Sequence, residues 1–556
     1  MLTCASLSGL VAGCATKQAV ELLAAGDERE LRPRSPVQPE RARGNADVVV
    51  IALDGLDRAL LYELLQGGKL PKLGRLLFSD HGAFPHAYFE DNMLSTLPST
   101  TLAAWATAFT GEPPAAHGIT GNEFFVREEA RFVAPIPVSF SDSKPLIESF
   151  TEDYADKACL VPSVFERMRQ RDPNVQIWIT MQPFHRGADK LLLTDRGALL
   201  DAFKAYLART VTAVATDHSS KDVYETLDEE VMESLLEALR DRKNALPNVL
   251  IAYLGGPDLF AHVAKEGPDE ARIAYMRDAL EPGFEKLYDT LNARGSLRDP
   301  YVVVVADHGH TEVVDDDAHA LDKEPAAVLA KAGFRVRPFQ LEVDDDDSQA
   351  VLAYQGAMAY VYLADRSGCA KRSLRCDWKK PPRFQEDVLA AADAFYRATT
   401  LGEAVPSMKG TLGLVLARHA KPYRDVDEPF QVYVGGGRLV SIAEYFAKHP
   451  HPSYVAVAER FAELAAGPAG ERAGDVLLLA HNGDRQRPEH RYYFAPPYHS
   501  FHGSPSRRDS ELPLIVAHPQ RGTDELRGLV RRAIGDESRQ KDFAKLLLHL
   551  RYGSAQ

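Results

Sequence analysis

Cysteine is scarce and widely scattered in this sequence. The 556 residues include five cysteines, and no two of them form a CxxC pair, which argues against a zinc site built from thiolates. No apolar run reaches the roughly 20 residues that a bilayer-spanning helix needs. An excess of positive charge is also missing: the formal net charge is −14, which argues against binding nucleic-acid backbones as the main activity. The composition, with 45% hydrophobic residues, is that of an ordinary globular protein.

The N-terminal residues are small and apolar, and they end in Val11-Ala12-Gly13-Cys14. This ending resembles the lipobox of bacterial lipoproteins, although no Lys or Arg precedes Lys17 and a chance match is the alternative. Acyl chains on Cys14 would anchor the protein to a membrane surface without a spanning helix. We therefore expect a signal over residues 1–14, a flexible tether over residues 15–46, and export as a periplasm-facing lipoprotein, or else secretion.

Continuous apolar runs recur along the chain. Such runs are typical of strands buried on both faces of a parallel sheet, and they cover residues 47–53, 175–181, 248–254, 301–307, 359–364, 475–480 and 512–517. Helical patterns lie between them, for example over residues 272–295, which end on a glycine suited to a helix C-terminus. The alternation predicts an α/β fold with a mostly parallel central sheet between two helical layers.

The strand–helix pattern weakens between about 320 and 470. That region holds the acidic run Asp344–Asp347, which lacks the alternating spacing of a calcium loop and is interpreted as a solvated loop. It also holds Cys369 and Cys376, which form either a small disulfide loop in an oxidising compartment or two free surface thiols. We predict a cap or insertion over residues 331–470, with the catalytic domain formed by residues 47–330 and 471–556.

Polar side chains follow three of the predicted strands. Asp54 comes after the first, Asp258 and His262 come after the third, and Asp307 and His308 come after the fourth. Because ligands of open α/β sheets sit outside the carboxyl ends of the strands, these side chains are expected to meet there. Taken singly, they also fit a turn, a helix-face pair and a polar loop. Together they form a ligand set that suits Zn²⁺, with Mn²⁺ or Fe as alternatives.

A candidate nucleophile stands at the start of a predicted helix. The run Ser99-Thr100-Thr101 precedes an apolar helical segment that Gly111 closes. A hydroxyl at a helix N-terminus meets the positive end of the helix dipole and free N–H groups, which would stabilise an alkoxide and a phosphate. The plainer interpretation is that these hydroxyls only cap the helix.

These motifs resemble the alkaline phosphatase superfamily, specifically its type I phosphodiesterase / nucleotide pyrophosphatase family, from about residue 47 to 519. The resemblance rests on Asp54-Gly55, on Thr101 nine residues before Thr110-Gly111, on Asn122 in EPPAAHGITGN, on Pro257-Asp258 through His262, on Asp307-His308-Gly309 and on His502-Gly503. The chain departs from many relatives directly after the nucleophile, with Leu102-Ala103-Ala104, which leaves Ser99 or Thr100 as an alternative. His117 and His310 match no ligand position and are interpreted as structural or supporting residues.

The resemblance implies an alkaline-phosphatase-like fold with two divalent metal ions, most readily zinc. One ion would be held by Asp258, His262 and His502, which we call the Asp258 site. The other would be held by Asp54, Asp307, His308 and the Thr101 oxygen, which we call the Asp54 site. Thr101 would attack phosphorus to form a phosphothreonine, and Asn122 would bind a phosphate oxygen.

The resemblance limits the substrate class without choosing the substrate. Phosphodiesters or nucleotide pyrophosphates are the first expectation. A phosphomonoesterase is an alternative; Arg186 and Lys190 are then candidates to neutralise the additional phosphate charge, or else they are plain surface residues. An envelope phosphotransferase and a binding lipoprotein that lost catalysis are further alternatives. A sulfatase is disfavoured because Cys159 lies in CLVPS, which has the wrong spacing. We expect a small phosphate-ester substrate, no specific nucleic-acid binding and no membrane contact other than through Cys14, and leave the oligomeric state open.

Overall fold

The computed structural model describes residues 28–32, 47–142, 144–193, 220–343, 347–371, 374–418, 427–483 and 487–554. Cys14, most of the predicted tether and residues 344–346 of the acidic run lie outside these ranges, so the lipobox and the solvated loop stay predictions. Among the helices of the described ranges, none combines the length and the hydropathy that a membrane span requires.

The described residues form two main sheets. The strands are β1 (Glu28–Glu30), β2 (Asp47–Leu53), β3 (Ala87–Phe89), β4 (Phe124–Val126), β5 (Arg131–Val133), β6 (Ile177–Thr180), β7 (Lys190–Leu192), β8 (Val249–Leu254), β9 (Pro300–Ala306), β10 (Thr311–Glu312), β11 (Ala350–Gln355), β12 (Met358–Leu363), β13 (Leu412–Arg418), β14 (Phe430–Tyr433), β15 (Leu439–Val440), β16 (Val476–Ala480), β17 (Ser500–Phe501) and β18 (Leu514–Ala517). Two short pairs, β4 with β5 and β10 with β17, stand beside the main sheets.

Helices separate most of these strands. They are α1 (Arg58–Gln66), α2 (Pro71–Leu76), α3 (Thr101–Thr110), α4 (Pro114–His117), α5 (Lys144–Thr151), α6 (Tyr154–Ala158), α7 (Val164–Arg171), α8 (Ser220–Arg240), α9 (Gly256–Ala261), α10 (Pro268–Tyr275), α11 (Glu281–Ala293), α12 (Glu324–Lys331), α13 (Ala390–Leu401), α14 (Ile442–Lys448), α15 (Val457–Ala465), α16 (Arg507–Ser510), α17 (Thr523–Ile534) and α18 (Asp542–Tyr552). Between α10 and α11 a π-helical turn, Met276–Leu280, keeps the helix predicted over residues 272–295 continuous.

The central sheet has eight strands in the order β1-β7-β6-β8-β2-β9-β18-β3. The five inner strands from β7 to β9 run parallel, whereas β1, β18 and β3 each pair antiparallel with a neighbour. The predicted α/β fold with a mostly parallel central sheet is therefore confirmed.

Both faces of the central sheet are covered. In β2, Val48 and Val50 pack into the hydrophobic cluster that contains Trp105, whereas Val49 and Ile51 pack into the cluster on the other face. Successive side chains of a strand point to opposite faces, so a strand covered on both sides must be apolar throughout. This explains the uninterrupted apolar runs of the sequence.

The second main sheet is antiparallel, in the order β11-β12-β16-β13-β14-β15. The apolar runs at 359–364 and 475–480 belong to it, so their prediction as strands of the parallel sheet is wrong. It also places β16 with residues of the predicted cap rather than with the catalytic domain. Hydrophobic clusters cover both faces of this sheet too, and an apolar run reports burial on two faces rather than the direction or identity of the sheet.

Two further features concern the predicted tether and the cysteines. Residues Glu28–Glu30 pair with β7, so this part of the predicted tether is an edge strand. Cys369 and Cys376 are joined in a disulfide, which decides between the two alternatives of the sequence. Cys159 is a free and buried thiol.

Candidate functional site

The predicted site residues meet at the carboxyl edge of the central sheet. Asp54 follows β2, Asp258 lies in α9 after β8, and Asp307 and His308 follow β9. His262 ends α9, and His502 arrives directly after β17. All of them are buried except His262, which is half-buried. Adjacent parallel strands thus deliver the three carboxylates to one point, as expected from their position at strand ends.

In the Asp54 site, each of the two carboxylates has one oxygen that accepts hydrogen bonds and one bare oxygen, meaning one that accepts none from the described residues. Asp307 Oδ1 accepts the backbone N–H groups of Gly55 at 3.1 Å and His308 at 2.9 Å. Asp54 Oδ2 accepts the hydroxyl of Tyr253. The remaining oxygens, Asp54 Oδ1 and Asp307 Oδ2, are buried and accept no hydrogen bond from any described residue. They lie 3.4 and 3.3 Å from His308 Nε2.

In the Asp258 site, imidazoles surround one carboxylate. His262 Nε2 lies 3.5 Å from Asp258 Oδ2, and His502 Nε2 lies 3.6 Å from Asp258 Oδ1. The rings of His308 and His502 stack with their centroids 3.7 Å apart. His308 Nε2 is 3.9 Å from Asp258 Oδ1, so this histidine stands between the two sites.

These residues fit divalent metal ions. Asp54, Asp307 and His308 can each offer a ligand atom within 4.8 Å of the others, and so can Asp258, His308, His310 and His502. Buried carboxylate oxygens without donors are costly unless a cation compensates their charge. Oxygen and imidazole donors are the ligands that zinc and related metals take.

The pKa values of the three carboxyl groups reflect their burial and the charges of their neighbours. Burial raises the pKa of Asp54 well above its usual value, and the charges of Asp307 and Asp258 raise it further. Burial also raises the pKa of Asp307, to about 6. Burial would likewise raise the pKa of Asp258, but the neighbouring His262 and His310 outweigh it and hold the pKa well below its usual value. Bound cations would favour the ionised form of all three.

Thr101 is the first residue of α3, and its Oγ1 lies 3.3 Å from His308 Nε2. The other hydroxyls of the run are placed differently. Ser99 donates to the carbonyl of Ser504 at 2.9 Å, and the buried Thr100 Oγ1 has no hydrogen-bond partner within the described ranges. Thr100 is the N-cap residue but makes no side-chain cap hydrogen bond. The geometry therefore favours Thr101 over its neighbours and does not support plain capping.

Asn122 completes the surroundings of Thr101. Its Oδ1 accepts the backbone N–H of Leu102, in the first turn of α3, at 3.0 Å. Its own backbone N–H donates to Gln355 Oε1 at 2.8 Å. Since Oδ1 is engaged, the Asn122 side chain turns its NH₂ group, with two donors, to the remaining surroundings. This is the polarity that binding of a phosphate oxygen requires.

Tight backbone turns bring the ligands together. Gly55 has φ +72°, and a Cβ at this position would lie 2.8 Å from Asp258 Cβ. At Gly256, in front of Asp258, a Cβ would lie 2.5 Å from Asp228 Oδ2, which accepts the Gly256 N–H at 2.9 Å. The glycines after β2 and β8 are therefore required by close approach rather than by flexibility.

Two further residues contact the predicted ligands, and the sequence assigned neither of them as a ligand. His310, interpreted as structural or supporting, has Nε2 2.6 Å from Asp258 Oδ1. Tyr253, unassigned, donates its hydroxyl to Asp54; burial and the Asp54 charge raise the Tyr253 pKa well above its usual value. The sequence holds a clue to each. Tyr253 places a hydroxyl near the end of an apolar strand, and His310 lies two residues after His308.

The two cations considered for a monoester substrate are engaged elsewhere. Arg186 donates to Glu166 at 2.9 Å and to the carbonyls of Asp156 and Cys159 at 3.2 and 3.3 Å. Lys190 Nζ pairs with Glu30 at 3.4 Å and lies 4.7 Å from the centroid of a Trp178 ring. Both side chains therefore already have acidic partners, and a role in neutralising a second phosphate charge stays a prediction.

One known protein family and several solved structures resemble this chain. The model of a family described as type I phosphodiesterase / nucleotide pyrophosphatase matches residues 48–370. Among curated proteins no sequence matches. Murine ectonucleotide pyrophosphatase / phosphodiesterase 5, solved as an inactive form in complex with AMP, is 12% identical with a TM-score of 0.47, covering 91% of this chain and 94% of that one. Phosphonoacetate hydrolase from Sinorhizobium meliloti 1021, solved with phosphonoformate, is 17% identical with a TM-score of 0.45, covering 92% and 96%.

Proposed function

Because the chain belongs to the type I phosphodiesterase / nucleotide pyrophosphatase family, we propose that it hydrolyses phosphate esters with Thr101 as the nucleophile. The observation that carries this proposal is the position of Thr101 Oγ1, 3.3 Å from His308 Nε2 at the N-terminus of α3. His308 in turn faces the bare oxygens of Asp54 and Asp307. The Thr101 hydroxyl thus lies beside the predicted metal ligands and does not cap the helix.

The proposal includes two divalent ions, with zinc as the first candidate. One is assigned to the Asp54 site and one to the Asp258 site. When bound, such ions act as Lewis acids and lower the pKa of a ligand oxygen, which would ionise Thr101 at neutral pH. Three aspartates and a threonine alkoxide would balance the charge of the two ions.

The chain's own residues then account for two displacements at phosphorus. Ionised Thr101 forms an Oγ–P bond while the bond from phosphorus to the leaving oxygen breaks, giving a phosphothreonine. In the second step, the oxygen of a water molecule bonds to phosphorus while the Thr101 Oγ–P bond breaks; the water gives up one proton to solvent and Thr101 is left ionised again. The Asn122 NH₂ group and the positive end of the α3 dipole hold the non-bridging oxygens. Two in-line displacements retain the configuration at phosphorus.

Charge favours a diester or pyrophosphate over a monoester. A monoester carries one further negative charge, which has to be neutralised by a cation. Arg186 and Lys190 are engaged with acidic partners and carbonyls. Arg272 and Arg508, which donate to the carbonyls of Gly55 and His310 in the loops of the site, both also pair with Asp269. We therefore propose a phosphodiester or a nucleotide pyrophosphate as the substrate class.

The test compares Thr101→Ala with Thr100→Ala, since Thr100 is an adjacent buried threonine whose hydroxyl makes no hydrogen bond in the part of the chain that the structure describes. Turnover is measured on bis-p-nitrophenyl phosphate, p-nitrophenyl phosphate and p-nitrophenyl esters of nucleotides. We expect Thr101→Ala to lose about 10³-fold or more in kcat while retaining its metal content, and Thr100→Ala to stay within about 10-fold of wild type. Unchanged turnover of Thr101→Ala would assign the nucleophile elsewhere, and a preference for the monoester would reject the substrate class.

A further inference from the structure

His310 is a fully buried histidine to which the family resemblance assigns no role. It stands between β9 and β10, two residues after His308. Its Nε2 lies 2.6 Å from Asp258 Oδ1, nearer than the corresponding nitrogens of His262 and His502 come to the same carboxylate. Its ring centroid is 4.7 Å from that of His262 and 5.2 Å from that of His502. The three rings therefore surround Asp258.

The hydrogen bonds of Ser500 determine which nitrogen of His310 carries the proton. The Ser500 hydroxyl donates its single proton to the carbonyl of Ala261 at 2.7 Å. It can therefore only accept from His310 Nδ1, which lies 3.1 Å away. Nδ1 holds the proton of the neutral ring, and the lone pair of Nε2 faces Asp258.

His262 and His502 show the same arrangement. Nδ1 of His262 donates to the carbonyl of Ser500 at 2.8 Å, and Nδ1 of His502 donates to the carbonyl of Ser99 at 2.9 Å. A carbonyl accepts only, so in both neutral rings Nε2 is the free lone pair. Histidines that bind metals usually have the other ring nitrogen held by an oxygen acceptor in this way. Like the two predicted ligands, His310 thus has its Nδ1 held by a hydrogen bond to an oxygen acceptor.

Around Asp258, three lone-pair nitrogens therefore meet two carboxylate oxygens. Acceptors packed at such distances repel one another unless a cation lies among them. We propose that His310 is a fourth protein ligand of the metal ion in the Asp258 site, together with Asp258, His262 and His502. This inference rests on the proposed function, which places a metal there, and it adds a ligand that the family pattern does not contain.

The alternative is that His310 only positions Asp258 by hydrogen bonding. His310→Ala removes both the ligand and the hydrogen bond, whereas His310→Gln keeps an amide that can bond to Asp258 but is a poor ligand for zinc. A matched control is His518→Ala, which removes another buried histidine that pairs with an aspartate, Asp299, at 3.1 Å. Neither residue of that pair belongs to the two sites.

The experiment titrates the metal-free proteins with Zn²⁺ in competition with a chelator. We expect wild type and His518→Ala to bind two ions, and both His310 variants to bind one of the two about 100-fold or more weakly. Wild-type-like affinity in His310→Gln would overturn the proposal in favour of positioning. If wild type binds no metal, the proposed function fails together with the inference. If wild type binds two ions and both His310 variants bind them with the same affinity, the inference alone fails.

A crystal structure of the zinc-loaded wild type gives a test that does not depend on how the variants fold. Anomalous scattering locates each ion. The proposal expects His310 Nε2 at about 2.0–2.1 Å from the ion that Asp258 binds, the usual Zn–N distance. A zinc ion bound by Asp258, His262 and His502 with His310 Nε2 outside bonding distance would overturn it.

Discussion

At the scale of single residues, the side-chain oxygen and the NH₂ group of Asn122 face different partners. Its Oδ1 accepts the N–H of Leu102, which leaves the NH₂ group as the proposed donor to substrate. Donors aimed at a developing charge contribute more in a buried site than in water, because water does not compete for the oxygen. Asn122 therefore offers a test of whether substrate oxygens are bound by an amide.

We predict that Asn122→Ala lowers kcat on a diester substrate by about 10²- to 10³-fold. Asn122→Asp should lose at least as much, although it retains an acceptor for Leu102, because it replaces the donors with a negative charge beside the phosphate. The measurement is steady-state kinetics with metal content determined in parallel. The control is Asn248→Ala, at the opposite end of β8 from the site, where the side chain accepts the N–H of Gln176. An Asn122→Asp variant that keeps its activity would exclude amide donation.

At the scale of elements, His117 fastens the short helix α4 to α3. Thr107 donates its hydroxyl to the carbonyl of Ala103 at 2.7 Å and so accepts from His117 Nε2 at 2.9 Å. His117 Nδ1 accepts the N–H of Ile119 at 3.1 Å. Both ring nitrogens are satisfied in the neutral form, and a second proton would face an N–H donor. Burial lowers the pKa of His117 to about 3, in agreement with the structural role predicted for it.

This predicts an acid-sensitive contribution to stability. The unfolded chain protonates His117 near its usual pKa of 6.5, whereas the folded chain does so only near 3. The unfolded state thus binds more protons in between, so the contribution is complete above pH 6.5 and falls by about 1.4 kcal/mol per pH unit as the pH drops toward 3. The free-energy difference between wild type and His117→Gln should therefore shrink between pH 6 and pH 4.5 in urea unfolding. A difference that is independent of pH over this range would contradict the prediction.

At the scale of the whole molecule, Gln355 joins the second sheet to the site. It ends β11, its Oε1 accepts the N–H of Asn122 at 2.8 Å, and its Nε2 donates to the carbonyl of Glu123. A Cβ at Gly121 would lie 2.0 Å from Gln355 Oε1, so the two segments are in close contact. The second sheet therefore supports Asn122, the residue proposed to bind a phosphate oxygen.

We predict that Gln355→Ala lowers kcat by about 10- to 100-fold without changing metal content, because a small displacement of Asn122 misplaces its donors. The matched control is Gln349→Ala: Gln349 precedes the same strand, is buried, and donates to the carbonyl of Cys369 at 3.0 Å, outside the site. Steady-state kinetics and metal analysis of both variants provide the measurement. Equal activities of the two variants would show that the second sheet does not support Asn122.

Much of the site could be predicted because its parts are local in sequence. Asp54, Asp258 and Asp307 each follow an apolar strand, and the topology of a parallel sheet then brings them together. Thr101 carried a local signal at a helix start, and Gly111 closes that helix with φ +72°. Contacts between residues far apart in the sequence could not be predicted. Ser500 orients His310 from 190 positions away along the chain, and no periodicity announces such a contact.

The fold divides in the same way. The apolar run at 475–480 predicts a buried strand, but only packing decides that β16 pairs antiparallel with β12 and β13. The same holds for Arg186 and Lys190, whose charge suggests phosphate binding but whose partners Glu166 and Glu30 only the structure shows. Hydropathy and charge are properties of a residue, whereas pairing is a property of two segments.

By itself, the sequence determined the fold class, the strand ends, the helix that carries the candidate nucleophile, and the family. Periodicity and local motifs specify how each element is buried and where it ends. Only the tertiary structure decided that His310 stands against Asp258, that Tyr253 holds Asp54, and that Gln355 reaches Asn122 from the second sheet. These contacts join residues up to 233 positions apart. Their formation depends on the packing of whole layers against one another, which no local pattern of side chains encodes.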